Sequence, residues 1–224
     1  MKLNNTLFVL DTETGGVDPQ NCSLMEIAGI VLQNGKVVAK YSSLVKSPNG
    51  KYVCNQFARS LHGITDEQIE QYGKLPIEII CDLKDIRDKY FDKQPMTIVA
   101  HNAAFDIAFV KCMFAQNGQQ LSSLPDDNQL NYDKIFARNA IDTATMALVL
   151  RMQNKLPFDR CSLDNILKFY QIEDSQAKRH SALADAEQTA KAFLCMFDSL
   201  SNNKSYSNQN AEKYDTNFDD SLKM

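Results

Sequence analysis

"FVLDTETGG" (residues 8–16) decides the fold, because it runs an apolar strand straight into two acids. Phe8, Val9 and Leu10 read as buried strand, and Asp11 and Glu13 follow two positions apart. Side chains at i and i+2 of a strand share a face, so the two carboxylates point together. Gly15-Gly16 then breaks the chain and is expected to open space beside them. Two carboxylates a few ångströms apart do not both ionise comfortably. A cation between them, a proton shared by them, or a water-screened strand end would each relieve the repulsion, and this stretch leaves all three open.

Working outward, residues 6–11 form the first predicted strand. "LMEIAGIVLQ" (24–33) and "KVVAKYSSLV" (36–45) flank Asn34-Gly35, a strong two-residue hairpin signal, so the chain opens as an antiparallel meander. Residues 47–56 read as a loop. Thr65 and Gln68 fit a capping box for a short helix ended by Gly73. Residues 76–91 carry Ile79, Ile80, Leu83, Ile86 and Tyr90 at helical spacing behind Pro76, a favoured helix start. A short buried strand is expected at 96–100. Asn102 is the expected N-cap of a helix over 103–116, which Gly118 should close. Residues 119–138 read as a polar, irregular surface excursion. Residues 140–150 read as a last short strand running into a helix, and Ser162 caps another. A final helix over 181–197 shows an apolar face of Leu183, Ala186, Ala190, Phe193, Leu194 and Phe197. Residues 1–200 are thus expected to form one domain of α/β or α+β class around a mixed sheet. Residues 201–224, rich in Asn and Ser, read as a disordered tail.

The composition narrows the chemistry. At 224 residues with 44% hydrophobic and 23% charged content, the chain suits one well-cored domain. No apolar run approaches the ~20 residues that span a bilayer, and none resembles a signal peptide, so a cytoplasmic protein without membrane contact is expected. The six cysteines are scattered without a C-x-x-C pair, which predicts reduced, mostly buried thiols. A net charge of -4 argues against coating duplex DNA through the overall field, while leaving room for an enzyme that grips a few nucleotides in one cleft.

Two further segments carry acids. "AHNAAFD" places Asp106 in the first turn of a predicted helix, beside the aromatic Phe105. "RHSALADAEQTA" contains His180 and Asp185. Five residues apart they do not share a helix face, but they reach a common point if His180 lies on the loop before the helix. With only three histidines, an imidazole-rich zinc site is poorly supported. A cluster of carboxylate oxygens is the chemistry of Mg²⁺ or Mn²⁺, and several acids suit two ions ~3.5–4 Å apart, the arrangement for in-line displacement at phosphorus.

"DTETGG", "HNAAFD" and "HSALADAEQTA", in this order and spacing, resemble the three motifs of the DEDDh 3′→5′ exonuclease family. That family includes the proofreading subunit of bacterial replicative DNA polymerase, ribonuclease T and oligoribonuclease. "LHGIT" (61–65) also resembles the proofreading type. The resemblance covers about residues 6–197. It implies a ribonuclease H-like α/β fold, a mixed five-stranded sheet flanked by helices. It implies that Asp11, Glu13 and Asp185 hold one Mg²⁺ or Mn²⁺, that Asp11 and, through water, Asp106 hold a second, and that His180 is the general base. It further implies that Thr14, His62 and Phe105 line the pocket for the terminal nucleotide. His62 also reads as a structural turn residue, and His101 has no assigned role. The expected partner is a single-stranded nucleic-acid 3′ end. DNA is favoured over RNA, since no basic cluster like that of ribonuclease T is found apart from Lys178-Arg179. The tail lacks an obvious apolar anchor, so a polymerase or clamp partner is not strongly supported and is left as an open alternative. A non-catalytic binder on the same fold is disfavoured, because all five active positions are filled.

Overall fold

The structure, a computed structural model, describes residues 5–123, 130–172 and 181–201. His180 and the tail from 202 lie outside the described residues. The meander forms as expected: β1 (Thr6–Thr14), β2 (Leu24–Gln33) and β3 (Lys36–Leu44) pair antiparallel in sequence order. Asn34 and Gly35 both turn with positive φ, 53° and 77°, the pair of left-handed conformations that a tight hairpin needs. β4 (Ile98–Ala100) then pairs parallel with β1, and β5 (Ile141–Asp142) parallel with β4. The sheet is therefore mixed and five-stranded, in the order β3-β2-β1-β4-β5.

Nine helices are described. α1 (Gln56–His62), α2 (Asp66–Tyr72) and α3 (Pro76–Tyr90) follow the meander. α4 (Ala103–Gln116), α5 (Gly118–Ser122) and α6 (Tyr132–Ile135) follow β4. α7 (Thr143–Met152), α8 (Leu163–Tyr170) and α9 (Ala182–Ser201) complete the fold. The alternation of β1 sorts the core. Phe8 and Leu10 pack with Ile79, Leu83, Val110 and Phe114 on one face of the sheet. Leu7 and Val9 pack with Ala147, Ile166, Ala190 and Phe193 on the other. The Thr65/Gln68 capping box, Pro76 at the start of α3 and the Ser162 cap are all present. No helix among the described residues is long and apolar enough to cross a membrane.

Several expectations need correction. Asn102 sits at the start of α4 but in the left-handed region, φ 64°, with no side-chain cap bond. The chain turns too sharply out of β4 for the extended backbone that a capping side chain needs. Gly118 opens α5 instead of closing α4, which ends at Asn117, whose side chain donates to the Met113 carbonyl at 2.8 Å. Residues 119–138 are no mere surface excursion. The described part forms α5 and α6 and buries Leu121, Leu130, Ile135 and Phe136 in the core, and residues 124–129 lie outside the described residues. α1, begun by Asn55 accepting the Ala58 N–H, was not expected. Of the six cysteines, all free, only Cys112 and Cys195 are fully buried.

Candidate active site

The end of β1 carries the expected acids. One oxygen each of Asp11, Glu13 and Asp185 lies within 4.8 Å of the others. Oxygen ligands of a single divalent ion, each about 2.0–2.6 Å from it, are separated by just such distances. The donor set, three carboxylates with no nitrogen or sulfur, suits a hard cation. Asp11 and Glu13 come from the face of β1 that packs against α9, and Asp185 from the first turn of α9.

Asp106 arrives from the other face. It is 4% exposed in the first turn of α4 and accepts a hydrogen bond at 2.8 Å from Thr12 Oγ1, on the opposite side of β1 from Asp11. It falls outside the tight trio, yet among the charges around Asp11 it has the largest effect.

The electrostatics show how costly this assembly is. Burial, then the negative charges of Asp106, Asp185, Glu13 and Glu26, hold the Asp11 carboxyl well above the usual range. Burial, then Asp185, Glu26 and Asp106, push Glu13 up to about 8. Burial pushes Asp106 up to about 7 against the opposing bond from Thr12. A divalent cation would relieve all three at once. Asp11, Glu13 and Asp185 are half-buried, so water reaches the cluster without fully screening it.

The glycine pair works differently from expectation. It does not leave open space; it lets other chain segments in. A Cβ on Gly15 would stand 2.0 Å from the Val53 carbonyl oxygen, and one on Gly16 2.6 Å from Cys22 Sγ. The Gly15 carbonyl accepts the Asn55 N–H at 2.8 Å. Residues 53–55 and the start of α1 are thereby held against the acid loop.

The three proposed nucleotide contacts take distinct places. Thr14 is buried and its hydroxyl donates to the Gly16 carbonyl at 2.7 Å, shaping the loop. His62 ends α1. Its Nδ1 accepts the Ile64 N–H at 2.9 Å, and its Nε2 lies 3.7 Å from Cys54 Sγ, beside the segment that covers Gly15. Its turn-forming role is thus present in the structure. Phe105 is half-buried, its ring 5.1 Å from that of Phe109. His101, unassigned before, shares a hydrogen bond with Thr143 Oγ1 at 3.0 Å.

Two contributors escaped sequence reasoning. Thr12, between the two acids, bonds Asp106. Glu26, facing Glu13 across the β1–β2 ladder, is buried and bonds the start of α9. The available signal was a lone charge inside the otherwise apolar "LMEIAGIVLQ".

The exonuclease family model RNase_T matches residues 8–193. The DNA polymerase III subunit epsilon of Rickettsia prowazekii is 29% identical over 190 residues, covering 84% of this chain and 72% of its own. A DNA polymerase III PolC-type protein of Thermotoga petrophila is 29% identical over 191 residues, 85% of this chain but only 12% of its own length. Among solved structures, E. coli exonuclease I in complex with a dT13 oligonucleotide superimposes with a TM-score of 0.64 at 18% identity, over 88% of this chain and 43% of that one. Exonuclease X in complex with 5′ overhanging duplex DNA gives 0.55 at 21% identity, over 93% of this chain and 98% of that one. These two share the fold. With the family model spanning nearly all of the sheet and helices, the chain belongs to the exonuclease family.

Proposed function

We propose that the protein is a metal-dependent 3′→5′ exonuclease that removes nucleoside 5′-monophosphates from single-stranded or frayed DNA, with residues 1–200 as the catalytic unit. The convergence of Asp11, Glu13 and Asp185 oxygens within 4.8 Å carries this reading. These three would hold one Mg²⁺ or Mn²⁺, and Asp11 with Asp106, through water, a second. Bound there, the ions would supply an activated water and neutralise charge growing on the phosphate oxygens. His180 takes the proton from the water that attacks the last phosphorus, and the bond to the 3′ oxygen of the preceding nucleotide breaks. An unperturbed histidine pKa of ~6.5 suits that task near neutral pH. General base catalysis contributes about 10²–10⁴-fold, far less than phosphoester hydrolysis requires, so most of the acceleration would have to come from charge neutralisation by cations held at the acid cluster. Phe105 stacks on the terminal base, and Thr14 and His62 shape its pocket.

In this reading the partner class is a replicative polymerase in the cytoplasm, supported by the names of two relatives, a DNA polymerase III subunit epsilon and a DNA polymerase III PolC-type protein. Matched end-labelled single-stranded DNA and RNA oligomers, incubated with Mg²⁺, Mn²⁺ or EDTA, test it. Stepwise shortening from the 3′ end, faster on DNA and abolished by EDTA, is expected. Preferential trimming of RNA would move the substrate to that of ribonuclease T, and activity in EDTA would refute the metal assignment.

A further inference from the structure

We propose that Glu26 is a positioning residue that fastens the start of α9 so that Asp185 meets Asp11 and Glu13; the proposal rests on the exonuclease reading above. Glu26 is 7% exposed and directly opposite Glu13 in the β1–β2 register, so the two side chains share a face. It nevertheless stands outside the trio of acids, because both its oxygens are occupied. Oε1 accepts from Ser42 Oγ at 2.8 Å, and Oε2 accepts the Ala182 N–H at 3.0 Å, across 156 residues of chain. Ala182 is the first residue of α9, two after His180 and three before Asp185. The first N–H groups of a helix have no partner inside it, and a carboxylate satisfies one of them with a charge-assisted bond.

A second buried group fastens the same turn from the next strand. Lys40 on β3 is 1% exposed, and its Nζ lies 3.0 Å from Glu187 Oε1. Asp185 lies between the two attachments. The turn 182–187 is thus tied to β2 at one end and to β3 at the other. A long-range bond of this kind sets the height and rotation of the helix start, and with them where the Asp185 carboxylate falls. Misplacing a metal ligand through loss of such an outer partner costs about 10–100-fold in affinity or activity.

The test compares full-length wild type with Glu26→Ala, Glu26→Gln and Glu26→Asp. Four quantities are measured: kcat and KM on end-labelled single-stranded DNA, the Mn²⁺ concentration for half-maximal rate, and the rise in melting temperature with Mn²⁺. Glu26→Ala should lose about 10–100-fold in kcat, need more Mn²⁺ and melt with a smaller Mn²⁺ shift, while KM for the oligomer changes little. Glu26→Gln should recover most of the loss, because its amide oxygen still accepts the Ala182 N–H and its NH₂ can donate to Ser42. A folded Glu26→Ala with wild-type kcat and Mn²⁺ requirement would overturn the proposal. So would a Glu26→Gln as impaired as Ala, which would mean that the charge matters and the bond does not. If Glu26→Ala does not fold, Glu26→Asp, with charge kept but reach shortened, should show the Ala-like loss, and wild-type behaviour there overturns it. Should wild type degrade no nucleic acid, the exonuclease reading fails while the Mn²⁺ melting shift still decides the role of Glu26.

Discussion

Raising the pH in EDTA should destabilise the protein, and Mn²⁺ should reverse the loss. The sign follows from Glu13, whose carboxyl rises from 4.5 to about 8. Between those values the native chain keeps a proton that the unfolded chain has released, so stability falls as pH rises. The contribution is complete below pH 4.5 and gone above about 8. Asp11, held well above the usual range, and Asp106, at about 7, act in the same direction. His101, lowered from 6.5 by burial, acts the other way, but only below pH 6.5, where the unfolded chain binds the extra proton. The window from pH 6.5 to 8.5 therefore lies above the His101 contribution and covers the Glu13 and Asp106 transitions. It spans about 1.5 pH units of the Glu13 transition, at about 1.4 kcal/mol each, or about 2 kcal/mol before solvent screening of this half-buried group. For a chain of this size that lowers the melting temperature by about 4–8 °C. Ligation requires ionised carboxylates, so the Mn²⁺ shift should grow over the same window. At a hundred times its dissociation constant the ion adds about 2.7 kcal/mol. Differential scanning fluorimetry in EDTA and in Mn²⁺, across pH 6.5–8.5, reads both effects. A melting temperature in EDTA that stays flat or climbs, or an Mn²⁺ shift equal at the two ends, would refute the reasoning.

Asp11→Asn removes the charge at the centre of the cluster, so it should raise the melting temperature at pH 8.5 in EDTA while lowering exonuclease turnover by about 10²–10³-fold or more, read by oligomer shortening. His180→Ala should lose about 10²–10⁴-fold at pH 7 and regain part of it as hydroxide increases; a pH–rate profile of unchanged shape would remove His180 as the base. Gly15→Ala drives a methyl group to 2.0 Å from the Val53 carbonyl, so the 53–55 segment must shift. Urea titration should show a loss of about 1–3 kcal/mol, with turnover falling alongside it.

The meander, the order of helices and the three acid segments were legible because each rests on local chemistry. Apolar alternation, Asn34-Gly35, Pro76 and the Thr65/Gln68 box specify their own backbone without help from distant residues. What was missed depends on contacts far along the chain. Residues 119–138 look polar, yet Leu121, Leu130, Ile135 and Phe136 reach the core at irregular intervals that no helical or strand period reveals. Asn102 has the composition of a cap, but the turn out of β4 puts it in the left-handed region, where its side chain caps nothing and its own N–H donates to Asp142 Oδ1 at 3.0 Å. The need for Gly15 comes from Val53, 38 positions away, so spacing alone could suggest open space but not the chain that fills it.

The placement of the acids follows from β1 more than from any loop. Its odd positions continue from Leu7 and Val9 to Asp11 and Glu13, on the face covered by α9, which brings Asp185. Its even positions continue from Phe8 and Leu10 to Thr12, on the face covered by α4, which brings Asp106. One strand end thus gathers carboxylates from both layers of helices, and the register shift between Glu13 and Thr14 ends regular pairing with β2 just where they meet. A slip of β1 by one residue would exchange the faces, sending Asp11 toward α4 and the Thr12 hydroxyl toward α9. The apolar residues that fix this register are the same ones that build the two cores. Core packing and acid geometry are therefore set together, which is why nine residues of sequence carry so much of both.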